Sequence, residues 1–135
     1  MDVSTLNVWA ILVASLLAFF VGGLWYSPVL FGKAWMKEIG ADEEKIAAGN
    51  MMKIFGLAFV FILIMTFCMA MFLNDPSIDM AAGAFYGFLA GFGWVALAMA
   101  VNSLYEQRSW KYMVINGGYW TVVFTLIGLV LGAWK

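Results

Sequence analysis

Histidine is absent from this chain of 135 residues, and cysteine occurs once, at Cys68. Without those side chains the usual zinc, haem and iron–sulfur ligand sets cannot be assembled, and a lone thiol forms no disulfide within the chain. No cofactor and no metal site is expected. Charge is scarce as well. Asp, Glu, Lys and Arg make up 11% of the residues, where a soluble domain carries about 25%. Seven basic residues against eight acidic ones leave a net charge of −1, with no basic face for nucleic acid. Apolar residues reach 65%, and the mean hydropathy is +0.94. So little polar surface cannot face water on all sides, and most of the exterior is expected to meet lipid.

A membrane helix needs about 20 consecutive apolar residues. Four stretches qualify, at about residues 8–26, 54–72, 80–101 and 113–134, and none contains Asp, Glu, Lys or Arg. They predict a single all-α domain, a bundle of four transmembrane helices with a short interfacial helix after the first. The first stretch follows Asp2 rather than a basic segment and exceeds the length of a signal-peptide core, so it reads as a retained helix.

Basic residues in short loops mark the cytoplasmic side. Lys33, Lys37, Lys45 and Lys53 lie between the first two stretches, and Arg108 and Lys111 between the last two. Only Lys135 lies on the opposite side. The expected location is a bacterial inner membrane, crossed several times, with both termini outside.

The first loop carries its own signals. Ser27 and Pro28 resemble a helix start, and Gly40 a stop. Between them Leu30, Phe31, Ala34 and Trp35 recur at helical spacing, with Lys33 and Lys37 four apart, a pattern suited to a helix lying in the interface. Asp42 is expected to cap the next helix, with Glu43 and Glu44 in its first turn. If that helix continued unbroken to Phe72 it would project beyond the bilayer, and Gly49 and Asn50 are its weak points. Asp75 and Pro76 are expected to open the third stretch, and Ser109 to cap the fourth.

Lipid tails are as apolar as leucine, so membrane helices join through close packing of small residues and through hydrogen bonds. Ala10, Ala14, Ala18 and Gly22 form one ridge of small residues, Gly83, Gly87 and Gly91 a second. A third runs from Gly117 through Thr121 and Thr125 to Gly128 and Gly132. The first, third and fourth helices should therefore pack backbone to backbone, with the Met- and Phe-rich second filling space around them. The small faces exceed what one bundle requires, so a homo-oligomer is expected, a dimer first.

The segment Gly22-Gly23-Leu24-Trp25-Tyr26-Ser27-Pro28-Val29-Leu30-Phe31-Gly32-Lys33-Ala34-Trp35-Met36 is distinctive. With Gly83 to Trp94 and Gly117-Gly118-Tyr119 through Gly128 to Trp134, it resembles a family of small bacterial membrane proteins, the domain of unknown function numbered 1761. The resemblance covers nearly the whole chain. It implies a four-helix membrane fold and brings no catalytic residues with it.

Two places carry candidate chemistry. Trp25, Tyr26, Ser27, Pro28, Phe31, Lys33 and Trp35 form either an aromatic site for a cation or lipid headgroup or an interfacial aromatic belt with a helix cap. Asn116, Thr121, Thr125 and Tyr86 either line a polar path or join helices; Asn116 should point inward, because an unpaired amide facing lipid costs several kcal/mol, on the order of a lost hydrogen bond or more. Asp75 and Asp79 are expected to cap helix ends, and Cys68 to sit in the core.

No nucleophile–base set or metal cluster is visible, so an enzyme is not expected. The favoured reading is a non-catalytic structural component that meets membrane lipids and a possible membrane-protein partner. The alternative is a homo-oligomeric transporter or channel for a small solute, which the absence of charge inside the spans disfavours.

Overall fold

The computed structural model describes residues 2–135, and in it four helices are long and apolar enough to cross a membrane, as expected from the sequence. The first span is α1 (Val8–Trp25) and the second α4 (Met51–Phe72). The third runs from Met80 to Tyr105 as α5 (Met80–Phe88), a π-helical segment (Leu89–Ala96) and α6 (Leu97–Tyr105). The fourth is α7 (Trp110–Ala133). Two short helices, α2 (Gly32–Ile39) and α3 (Glu43–Ala47), lie between the first two spans.

The order of packing follows from where the small residues fall. The fourth span is the most buried of the four and touches all the others. Against it lies the third span, at backbone contact. A Cβ on Gly83 would fall on the carbonyl oxygen of Gly128, one on Gly87 on that of Phe124, and one on Gly132 on that of Asp79. Only glycine permits this approach, which maximises dispersion contact where no hydrophobic effect drives helices together. On its other side α7 meets α1 through Ala10, Ala14 and Ala18, all essentially inaccessible. The second span packs on α1, with Phe19 edge-on to Phe55 and Phe59 at 6.0 and 5.7 Å, and touches α7 over a shorter stretch.

The π-helical segment was not foreseen. Its physical sense lies in spacing. Gly83, Gly87 and Gly91 step by four, but the next small residue against α7 is Ala96, whose Cβ lies 3.2 Å from where a Cβ on Gly117 would stand. Bonding from i to i+5 brings residues five apart into register, so the wider turn keeps Ala96 on the same face.

Helix ends depart from expectation in two places. α2 begins at Gly32, not Pro28. The Ser27 hydroxyl donates back to the Leu24 carbonyl instead of capping forward, and the chain reverses tightly as Phe31 N–H bonds to Trp25 O and Gly32 N–H to Ser27 O. The helix from Asp42 stops at Ala47, and the break falls at the weak points Gly49 and Asn50, where Asn50 caps α4 by accepting from Lys53 N–H at 3.1 Å. The third span is capped by Asp79, accepting from Ala82 N–H at 2.9 Å, while Asp75 accepts from Ser77 in the preceding turn. Cys68 is exposed rather than in the core, on the side of α4 that faces the open space beside the third span. Gly40, left-handed at φ +68°, ends α2, and Asp42 and Ser109 cap α3 and α7, all as the sequence indicates.

Candidate functional site

The distinctive first motif folds onto the first half of α7. The tight reversal at residues 25–32 leaves Trp25 and Tyr26 at the end of α1, facing the first turns of α7. Trp25 donates through Nε1 to the Ile115 carbonyl at 2.9 Å, and the Tyr26 hydroxyl donates to Asn116 Oδ1 at 2.6 Å. One turn on, the Tyr119 hydroxyl donates to the Ala18 carbonyl at 3.0 Å, beside Gly22, where a side chain would collide with the phenol. Three polar tips, that of Tyr119 buried and those of Trp25 and Tyr26 half-buried, thus find partners on the facing helix.

The rings fill the remaining space themselves. Trp25 lies 4.7 Å from Phe31, while Tyr26 packs edge-on to Trp35 at 5.1 Å and to Tyr119 at 5.4 Å. Trp35 brings α2 across the end of α7, where Glu38 also accepts from the Ser109 hydroxyl. Lys33 and Lys37 are exposed on α2, as are Pro28 and Phe31 in the turn before it.

The polar residues of the spans do not line up. Asn116 is buried and faces α1, whereas the Thr121 backbone lies against Gly91 of the third span. Thr121 and Thr125 bond within their own helix, to the carbonyls of Gly117 and Thr121, both at 2.7 Å. Thr66 does the same on α4 with Ile62 O. Such back-bonding spends the hydroxyl's one donor within its own helix. Tyr86 stands apart, exposed on the other side of the molecule.

Tyr86 borders a feature that the sequence did not announce. The second and third spans barely touch, and between them runs an apolar groove of about 500 Å³. Met65, Cys68 and Phe72 of α4 form one wall, Tyr86, Leu89 and Trp94 the other, and Phe124 of α7 the floor. At the end bearing both termini, a smaller cavity of about 410 Å³ has a partly polar lining that includes Asn7, Asn74, Trp134 and Lys135. Here the Asn74 amide donates to Asp2 O and Thr5 Oγ1, and the Lys135 ammonium to Leu73 O at 2.8 Å. Burial pushes the Lys135 ammonium below its ordinary value, while nearby Asp75 opposes that. Among the described residues no cluster of three or more His, Cys, Asp or Glu is placed to hold a metal.

Residues 9–132, nearly the whole chain, match the family model described as protein of unknown function, DUF1761. No curated protein and no solved structure matches the chain.

Proposed function

We propose that this chain, which belongs to the DUF1761 family of proteins of unknown function, is a non-catalytic membrane component that works by contact with lipids and with other membrane chains. The closed pairing of its buried polar groups carries this reading. Trp25, Tyr26 and Tyr119 each spend their donor on the facing helix, so the donors of these three rings serve to hold α1 against α7. A transporter or channel needs polar groups along a shared path, commonly with an ionisable side chain at membrane depth. Here Asn116 and Thr121 face different neighbours, and the charged residues of the spans, Lys53 and Lys111, sit in first turns at one end. The surface left over is apolar and meets lipid, with Lys33, Lys37 and Lys45 exposed at the same end.

The basic loops favour a bacterial inner membrane with that end in the cytoplasm and both termini outside. Anionic headgroups would then attract each exposed lysine by about 1 kcal/mol. An exposed small position such as Gly23, where an added Cβ would meet nothing, leaves room for a second copy and favours a homodimer.

Reconstitution into phospholipid vesicles, combined with native mass spectrometry from mild detergent, tests the proposal. The expected result is a chain or dimer with bound lipid and no solute flux above that of empty vesicles. Flux that is abolished by Asn116→Leu would overturn it.

A further inference from the structure

We infer that the groove between the second and third spans binds one acyl chain of a glycerolipid from the leaflet on the side of the termini, with the ester carbonyl accepting a hydrogen bond from the Tyr86 hydroxyl. This rests on the reading of the chain as a lipid-contacting membrane component and names the lipid chemistry involved.

The groove lies within two spans, where hydrocarbon replaces water, so its occupant is apolar over most of its length. The walls stay apart because the third span is committed to α7 through its glycines and the second to α1. Four groove residues, Leu89, Ala90, Trp94 and Val95, belong to the π-helical segment, a geometry that recurs at functional sites.

Tyr86 points to an ester rather than to hydrocarbon alone. Unlike Tyr26 and Tyr119, it donates to none of the described residues. An unpaired hydroxyl at membrane depth is costly, which favours an occupant with an acceptor. Tyr86 lies six residues into the third span, about 9 Å from its start at ~1.5 Å per residue. Helix side chains lean toward the N-terminus, here the end bearing both termini, so the hydroxyl reaches toward the edge of the hydrocarbon, where lipid esters sit. From there to Trp94 is about 12 Å along the axis, close to the ~15 Å half-thickness of a bilayer core.

Cys68, the only thiol, stands exposed on the opposite wall and allows the groove to be filled without disturbing packing. The full chain in mild detergent is offered equal amounts of ester-linked phosphatidylglycerol and its ether-linked analogue and weighed by native mass spectrometry. One lipid per chain is expected, with the ester form favoured about threefold to tenfold, the worth of one hydrogen bond. Tyr86→Phe removes the preference, Cys68→Trp loses the lipid, and Val60→Trp, an exposed position on α4 outside the groove, keeps it. No retained lipid, equal retention of the two forms by the unaltered chain, retention by Cys68→Trp, or lipid-free dimers that shield Cys68 from a maleimide would each overturn the inference. If Cys68→Trp does not fold, the Tyr86→Phe comparison decides alone. A chain without groove lipid but also without solute flux sinks the groove and leaves the proposed function standing.

Discussion

The Tyr26 hydroxyl and the Asn116 amide oxygen meet at 2.6 Å although 90 positions separate them in the chain. The bond ties the half-buried end of α1 to the buried Asn116 of α7, and the neighbouring bond from Trp25 to Ile115 O repeats the tie one residue away. Each partner exists for the other: an unpaired amide or phenol at this depth would be left without water.

Tyr26→Phe should destabilise the fold by about 1–2 kcal/mol, since it strands a buried acceptor. Asn116→Leu should cost a similar amount, and the double variant less than the sum. Unfolding in mixed micelles, read as a double-mutant cycle, should give a coupling of about 0.6–1.7 kcal/mol, the range for hydrogen bonds between membrane helices. A coupling of zero would mean that the two side chains act independently.

Legibility from sequence tracks how local the cause is. The spans were legible because hydropathy is a property of each segment alone, and Gly40, Asp42 and Ser109 because a helix cap depends on the few residues beside it. Asp75 and Asp79 both precede the span with the same capping chemistry, and only the path of the turn at Ser77 makes Asp79 the cap. Gly32 as the start of α2 reflects a backbone contact with Tyr26 and Ser27, set by the chain reversal. Of the candidate corner, the residues were visible, but their partners on α7 were not, since nothing near Trp25 encodes Ile115. The groove has no sequence signature at all: it is the space left when two spans each prefer a third.

The glycines divide into two classes that substitution should separate. Gly87→Ala would drive a methyl group into the Phe124 carbonyl, and Gly128→Ala into that of Gly83. Both helices must then move apart along a ridge, and each variant should lose about 1–3 kcal/mol or more. Gly56→Ala on α4 meets nothing within 4 Å and should be neutral or gain up to about 1 kcal/mol from helix propensity. Thermal unfolding of the three variants side by side checks the contrast.

Gln107 adopts φ +59°, the left-handed conformation that glycine occupies most easily, at the end of α6. Arg108 N–H there bonds back to Ser103 O at 2.8 Å, so the geometry is held by the helix end and not by the side chain. Gln107→Gly should therefore stabilise by about 0.5–1 kcal/mol, the relief of left-handed strain less the added freedom of the unfolded chain. The opposite change at Gly40, to Ala at φ +68°, should destabilise by about 1 kcal/mol. Midpoints of unfolding for the two variants should move in opposite directions.

Asp75 gives the turn before the third span a pH dependence whose sign can be stated. The Ser77 hydroxyl and then the Ser77 N–H donate to its carboxylate, which holds the group below its ordinary value of 3.8. A carboxyl group whose folded value is depressed adds stability that is fully present above the unfolded value and disappears as the pH falls through the folded one. The turn should accordingly hold its geometry above about pH 4 and loosen below it. Ser77→Ala removes the larger of the two donors, so the Asp75 carboxyl should titrate nearer 3.8 and the loosening should begin at higher pH. Carboxyl chemical shifts followed from pH 6 to pH 2 in detergent micelles would resolve both curves. If the Asp75 curve were the same with and without the Ser77 hydroxyl, the bond would not be what orders this turn.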